Sequence, residues 1–142
     1  MPLPIPDSPK QNRILAALGA KEYVRLVDDL ELVSLKRGQV LYEPGDTPVY
    51  AYFPTTCIVS RIFTTENGAS AELAMTGDEG LVGTSLILGS DSIVYRIDVQ
   101  NPGNAYRLKA EIMRWELDQG GELQRLALRY TQALMTQIAQ SV

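Results

Sequence analysis

Two hydrophobic rhythms divide the chain. Near the N-terminus apolar residues recur at helical spacing. Residues 12–18 place Ile14, Leu15 and Leu18 on one stripe, with Gly19 as the stop, and residues 21–27 place Tyr23, Val24 and Val27 likewise. Both read as short helices packed on the domain. From Leu30 the period shortens towards two, over 30–35, 39–42, 49–53, 57–64, 70–76, 94–100 and 104–108. Turn residues separate these segments: Arg37-Gly38, Pro44-Gly45-Asp46, Asn67-Gly68 and Asn101-Pro102-Gly103-Asn104. Many short strands punctuated by Gly and Pro predict an antiparallel sandwich or barrel.

Asn67-Gly68 predicts a two-residue type I′ hairpin loop. That loop sets Glu66 opposite Ala69, Thr64 opposite Ala71, Ile62 opposite Leu73 and Ser60 opposite Met75. This mostly apolar set is expected to face inward, leaving Arg61 with Ala74, and Phe63 with Glu72, more exposed. Next comes a glycine-rich stretch, 76–99, with Gly77, Gly80 and Gly83 ahead of Thr84 and Ser85 and an apolar run ending at Gly89. Glycines that admit close backbone approach, then a hydroxyl residue at a helix start, suggest an anion-binding corner; the alternative is a loop and short helix that close a barrel.

The helical rhythm returns at 109–117, with Ile112, Met113 and Leu117 inward and Trp115 at the edge. Gly120-Gly121 interrupts it. The segment 122–142 then carries two stripes. One is Leu123, Leu126, Ala127, Tyr130, Leu134 and Ile138; the other is Leu128, Met135, Ala139 and Val142. A single stripe needs one partner surface. The second predicts another, for which a partner helix is the economical choice, though one wide stripe on the same domain remains the alternative. No Gly or Pro stop comes after Ile138, as expected if the helix continues.

Composition narrows the chemistry. A chain of 142 residues, 45% hydrophobic and 21% charged, suits one globular domain. A net charge of −4 argues against unaided nucleic-acid binding. No apolar run reaches the length of a membrane span, and the Pro2, Pro4, Pro6, Pro9 segment is not a secretory signal, so a disordered leader over 1–11 and a cytoplasmic location are expected. Histidine is absent and Cys57 is the lone cysteine. This excludes an internal disulfide, His/Cys metal sites and His-based nucleophile pairs, and no cofactor or metal is expected. Cys57 reads as a half-buried structural residue, with a redox switch as the alternative.

The order of these parts resembles the effector domain of Crp/Fnr-type bacterial transcription regulators. The likeness rests on Leu-Lys-Arg-Gly-Gln-Val-Leu-Tyr-Glu-Pro-Gly-Asp (35–46), Val-Tyr-Ala-Tyr-Phe-Pro-Thr-Thr-Cys-Ile-Val-Ser (49–60), 68–72, 77–83, 106–108 and the 123–138 helix. It is closest to a subgroup with a Tyr-Phe-Pro-Thr-Thr hairpin and an Arg-Tyr-Thr-Gln-Ala-Leu helix run (129–134). The resemblance implies a mainly β fold with flanking helices. This would be an antiparallel double-stranded β-helix, the cyclic-nucleotide-binding-like β-roll or jelly roll, over 12–121, with a long dimerisation helix over 122–142. It implies a non-enzymatic homodimer joined through Leu128, Tyr130, Met135 and Ala139. A small-molecule effector would sit at Gly83, Thr84, Ser85 and, as a candidate, Arg96. DNA would be reached only through a helix-turn-helix domain, which is not among these residues.

The departures from the family pattern matter. Thr84 stands where cyclic-nucleotide binders carry a ribose-holding Glu, and Val94 and Tyr95 stand where they carry the phosphate-pairing Arg and its hydroxyl neighbour. Strand alternation turns Arg96 outward, and Asp78 and Glu79 are expected to repel an anion. Little or no cAMP binding is the consequence. Two rivals remain. A cupin-like metal enzyme is disfavoured by the absence of histidine. A stand-alone ligand-binding or protein-interaction roll would differ from a regulator in the sequence beyond Val142.

Overall fold

The computed structural model describes residues 8–141; the predicted leader up to residue 7, and Val142, lie outside the described residues. Five helices and seven strands succeed one another in order: α1 (Arg13–Ala16), α2 (Ala20–Val27), β1 (Glu31–Leu35), β2 (Val40–Tyr42), β3 (Tyr50–Pro54), β4 (Ile58–Thr64), β5 (Ser70–Thr76), α3 (Thr84–Ile87), β6 (Arg96–Asn101), β7 (Gly103–Lys109), α4 (Ala110–Asp118) and α5 (Glu122–Ser141). The end of the expected leader is structured. Pro9–Gln11 forms a 3-10 turn, closed by a reciprocal cap between Ser8 and Gln11.

The strands form two antiparallel sheets, ordered β1-β7-β3 and β2-β6-β4-β5. Leu35, Tyr52, Val59, Ile97, Val99 and Ala105 meet between them as the roll interior. The opposite face of β3 and β7 presents Ala51, Phe53 and Leu108 to a second core, built with Ile14, Leu15, Leu26, Met113, Leu117, Leu123 and Ala127 from the helices. The β-roll with flanking helices and a long C-terminal helix is therefore the observed architecture.

Asn12 joins the N-terminal helix to this body. It is fully buried. Its side-chain oxygen caps α1 by accepting from the Ile14 and Leu15 amides at 3.0 and 3.3 Å. Its Nδ2 donates to the Pro54 and Gly80 carbonyls at 2.9 and 2.8 Å. Gly19, expected to stop that helix, instead precedes α2 as its N-cap, in extended conformation at φ −65°.

The β4–β5 hairpin corrects the sequence expectation. No residue other than glycine has positive φ among those described. Asn67 therefore cannot adopt the I′ conformation, and Gly68 alone, at φ 84°, turns left-handed. The amide of Gly68 donates to Thr65 O at 3.0 Å, and that of Thr65 to Ala69 O at 2.8 Å. These bonds define a three-residue loop with a glycine bulge. A second bulge between Arg61 and Ile62 offsets the extra loop residue, so Ser60 still faces Met75 and Arg61 still faces Ala74.

The faces are only partly the expected ones: Ser60 and Leu73 are buried and Phe63 and Glu72 exposed, as expected, but three residues beside the bulge are reversed. Met75 is exposed, while Arg61 and Ala74 are buried. Ser60, although buried, donates to the Glu72 carboxylate at 3.0 Å in a polar group of side chains. The inward row of β4 is Val59 and Arg61, flanked by Val99 and Ile97 of β6.

Candidate functional site

A cavity of about 140 Å³ lies where the glycine-rich corner meets β6 and α5. Gly83, Thr84 and Ser85 line it, as the sequence suggested, together with Tyr95 and Ile97. From α5 come Thr131, Leu134, Met135 and Ile138. Gly83 holds the corner. Its φ of 150° disfavours other residues, and a Cβ there would lie 3.2 Å from Ala51 Cβ. Thr84 is the first residue of α3, not its cap, since Gly83 takes the cap position and no side chain caps this helix. With only four residues, α3 offers less to an anion than the sequence suggested.

The other candidate, Arg96, does not line this cavity. It is exposed and lies 3.6 Å from both Glu43 and Asp98 carboxylates. Asp78 and Glu79 are also absent from the cavity wall; they open onto a separate depression beside Cys57. No Asp or Glu lines the cavity among the described residues.

The cation at the cavity wall is Arg61, which is 1% exposed. Its Nη1 donates to Thr76 Oγ1, and its Nη2 to the Leu81 carbonyl at 3.0 Å. Burial pushes the guanidinium below its ordinary pKa, opposed by Tyr130, Tyr95 and Glu79. Thr76 Oγ1 also lies 2.6 Å from the Tyr130 hydroxyl. A hydrogen-bonded chain thus runs from β4 through β5 to the long helix. Tyr130, predicted at a dimer contact, turns its hydroxyl to the roll, whereas Leu128, Met135 and Ala139 are exposed.

Sequence reasoning missed Arg61 because a charged residue on a half-buried strand ordinarily faces water. Two signals could have found it. Arg61 continues the inward alternation from Val59, and its partner Ala74 is small enough to leave room beside a long side chain. Thr131, in the middle of the 129–134 run, was also missed. It is 3% exposed, and its hydroxyl donates to Ala127 O at 2.8 Å.

Cys57 is buried and free. Burial pushes its thiol up to about 11, which disfavours the reactive thiolate. Among the described residues no cluster of His, Cys, Asp or Glu could hold a metal ion, and no helix is long and apolar enough to cross a membrane.

No protein-family model and no curated protein sequence matches the chain. Solved structures do. The N-terminal domain of a transcriptional regulator from Streptomyces coelicolor A3(2) is similar at 21% identity and a TM-score of 0.66, over 94% of both chains. The regulatory subunit of a cAMP-independent protein kinase A from Trypanosoma brucei is similar at 17% identity and a TM-score of 0.74, over 87% of this chain and 44% of that one. The catabolite activator protein of Thermus thermophilus matches at 16% identity and a TM-score of 0.66, over 89% of this chain and 58% of that one. The chain thus spans about half the length of the last two. At these identities the likeness establishes the fold, which is the β-roll of cyclic-nucleotide-binding domains.

Proposed function

We propose that this chain is the sensory and dimerisation domain of a Crp/Fnr-type transcription regulator, acting in the cytoplasm and without catalysis of its own. One observation carries the reading. The cavity at the glycine-rich corner is walled on its other side by α5, so an effector there would touch both the roll and the long helix. The chain Arg61–Thr76–Tyr130 joins the same two parts. Occupancy of the cavity would shift α5 to the extent that the effector binds one setting of the helix better than another. The exposed stripe of Leu128, Met135 and Ala139 would meet its copy in a homodimer. DNA contact would fall to a helix-turn-helix domain outside these residues.

The effector is not cAMP in this reading. Thr84 cannot accept from ribose hydroxyls as a carboxylate does, and Val94 gives the corner no bidentate partner for a cyclic phosphate. Calorimetry with cAMP is expected to give no measurable heat of binding; micromolar affinity would reject this part of the reading. Retention of the dimer after Leu128 and Met135 are both replaced by Glu would reject this stripe as the seam, and a monomeric wild type would reject the dimerisation part.

A further inference from the structure

The wall of the cavity holds a buried charge that has no ion-pair partner among the described residues, Glu79 acting on it only from farther off. Arginine stays protonated in proteins, and Arg61 is almost wholly removed from water. Its hydrogen bonds to Thr76 Oγ1 and Leu81 O both end on neutral oxygens. No carboxylate among the described residues lies within ion-pair distance of it. A buried charge left in this state is costly, and an anion brought beside it recovers part of that cost. A second, independent feature points to the same space. Ser85 Oγ is buried and has no hydrogen-bond partner, although Ser85 lines the cavity. The rest of the wall is largely apolar, including Ile97, Leu134 and Ile138.

We propose that the cavity takes a small organic anion with an apolar body, its charge paired with Arg61 from β4 and steadied by the Ser85 hydroxyl. This rests on the reading of the cavity as an effector site and adds the chemical class of the effector. The anchor lies on β4, in the four-stranded sheet, rather than in the glycine-rich corner. The negative end of the ligand would therefore sit deep, with its apolar body towards α5. A cavity of about 140 Å³ has room for much more than a single water, which needs roughly 10–15 Å³.

The test compares octanoate with 1-octanol, which share a chain and differ in charge, and adds inorganic phosphate as the bare anion. Calorimetry on the wild-type protein is expected to show octanoate binding about tenfold to hundredfold tighter than 1-octanol, the range of one charge-assisted pair. Arg61→Gln is expected to bring octanoate to the level of 1-octanol. Equal affinities in the wild type would overturn the proposal and leave the effector-site reading standing. Binding of neither compound, with no chemical-shift change at cavity residues, would remove both. Phosphate binding as tightly as octanoate would overturn the apolar requirement. Should Arg61→Gln fail to fold, the Nε–Hε resonance of Arg61 in the wild type decides: it must move with octanoate and not with 1-octanol, and a still resonance overturns the pairing.

Discussion

The ring of Tyr130 occupies the space that a side chain at Gly80 would need: a Cβ on Gly80 would lie 2.2 Å from Tyr130 Cζ. The glycine is required here for closeness, since its φ is not in the left-handed range. The loop after β5 and the helix α5 thus touch backbone to ring, one step from the Thr76–Tyr130 hydrogen bond.

Gly80→Ala is therefore expected to displace the ring and cost about 1–3 kcal/mol, the usual penalty of overpacking. In a Tyr130→Ala background the same change is expected to cost close to nothing, because alanine is compatible with the backbone once the ring is gone. Urea denaturation of the four proteins gives the coupling. Equal costs in both backgrounds would show that the ring is not what the glycine accommodates.

The start of α5 depends on a residue far away in sequence. The Glu22 carboxylate accepts from the Glu122 and Leu123 amides at 2.7 and 2.9 Å, and Glu122 in turn accepts from the Gly19 amide at 2.6 Å. The first amides of a helix otherwise lack partners, and a carboxylate there also meets the positive end of the helix dipole. Glu22→Ala is expected to destabilise the protein by about 1–3 kcal/mol and to speed hydrogen exchange at Glu122 and Leu123. Lys21→Ala, one residue away and exposed, is expected to change neither measurement. Unaltered exchange in Glu22→Ala would rule out the cap.

These contacts mark the limit of what was legible in the sequence. Period and turn residues placed the strands and helices to within a few residues, because each signal is local. The two stripes of α5 were also legible: Leu123, Ala127 and Leu134 are buried, while Leu128 and Met135 are not. The turn into a short helix after Gly83 was legible for the same reason, with Gly83 itself at the N-cap of α3. The inward turn of Arg61 was legible only as a hint, in its alternation with Val59 and its small partner Ala74. Its orientation depends on a bulge and on partners at Thr76 and Leu81, which only the folded chain brings together. Arg96 was the nearest arginine in sequence order, but strand alternation sent it outward to Glu43 and Asp98. The caps supplied by Glu22 and Asn12 likewise join residues that no local rule relates.

Cys57 gives the molecule a measurable alkaline dependence. Its thiol stands near 9.0 when unfolded and is pushed up to about 11 by burial in the native state. Between these values the native state keeps a proton that the unfolded chain loses, so this contribution to stability is intact below pH 9 and declines as pH rises towards about 11. Tyr42 and Tyr52, also raised by burial, act in the same direction. The thiol's share is therefore read as a difference: Cys57→Ala is expected to lose less stability than the wild type over that window. Parallel curves would contradict the raised thiol. Native Cys57 is also expected to react slowly with an aromatic disulfide reagent at pH 8, and quickly once unfolded in denaturant.

The second stripe of α5 makes the remaining prediction. Leu128 and Met135 are 45% and 58% exposed and lie one above the other on the helix, with the exposed Leu88 beside them. Three large apolar side chains left about half exposed on one face by the described residues fit burial against a second copy, where each fully buried side chain of this size contributes about 1.5–3 kcal/mol. Replacing Leu128 and Met135 together by Glu also sets like charges across the seam. Sedimentation is expected to report monomers, with self-association weakened at least about hundredfold. The protomer's own urea midpoint is expected to stay near the wild-type value, because neither side chain belongs to either core. Tyr130→Phe separates the two faces of the helix. It removes the hydroxyl that meets Thr76 and leaves the exposed stripe alone, so it is expected to lower protomer stability without dissociating the dimer. A dimer that survives the Glu pair, or one that Tyr130→Phe breaks, would place the interface on another face of α5.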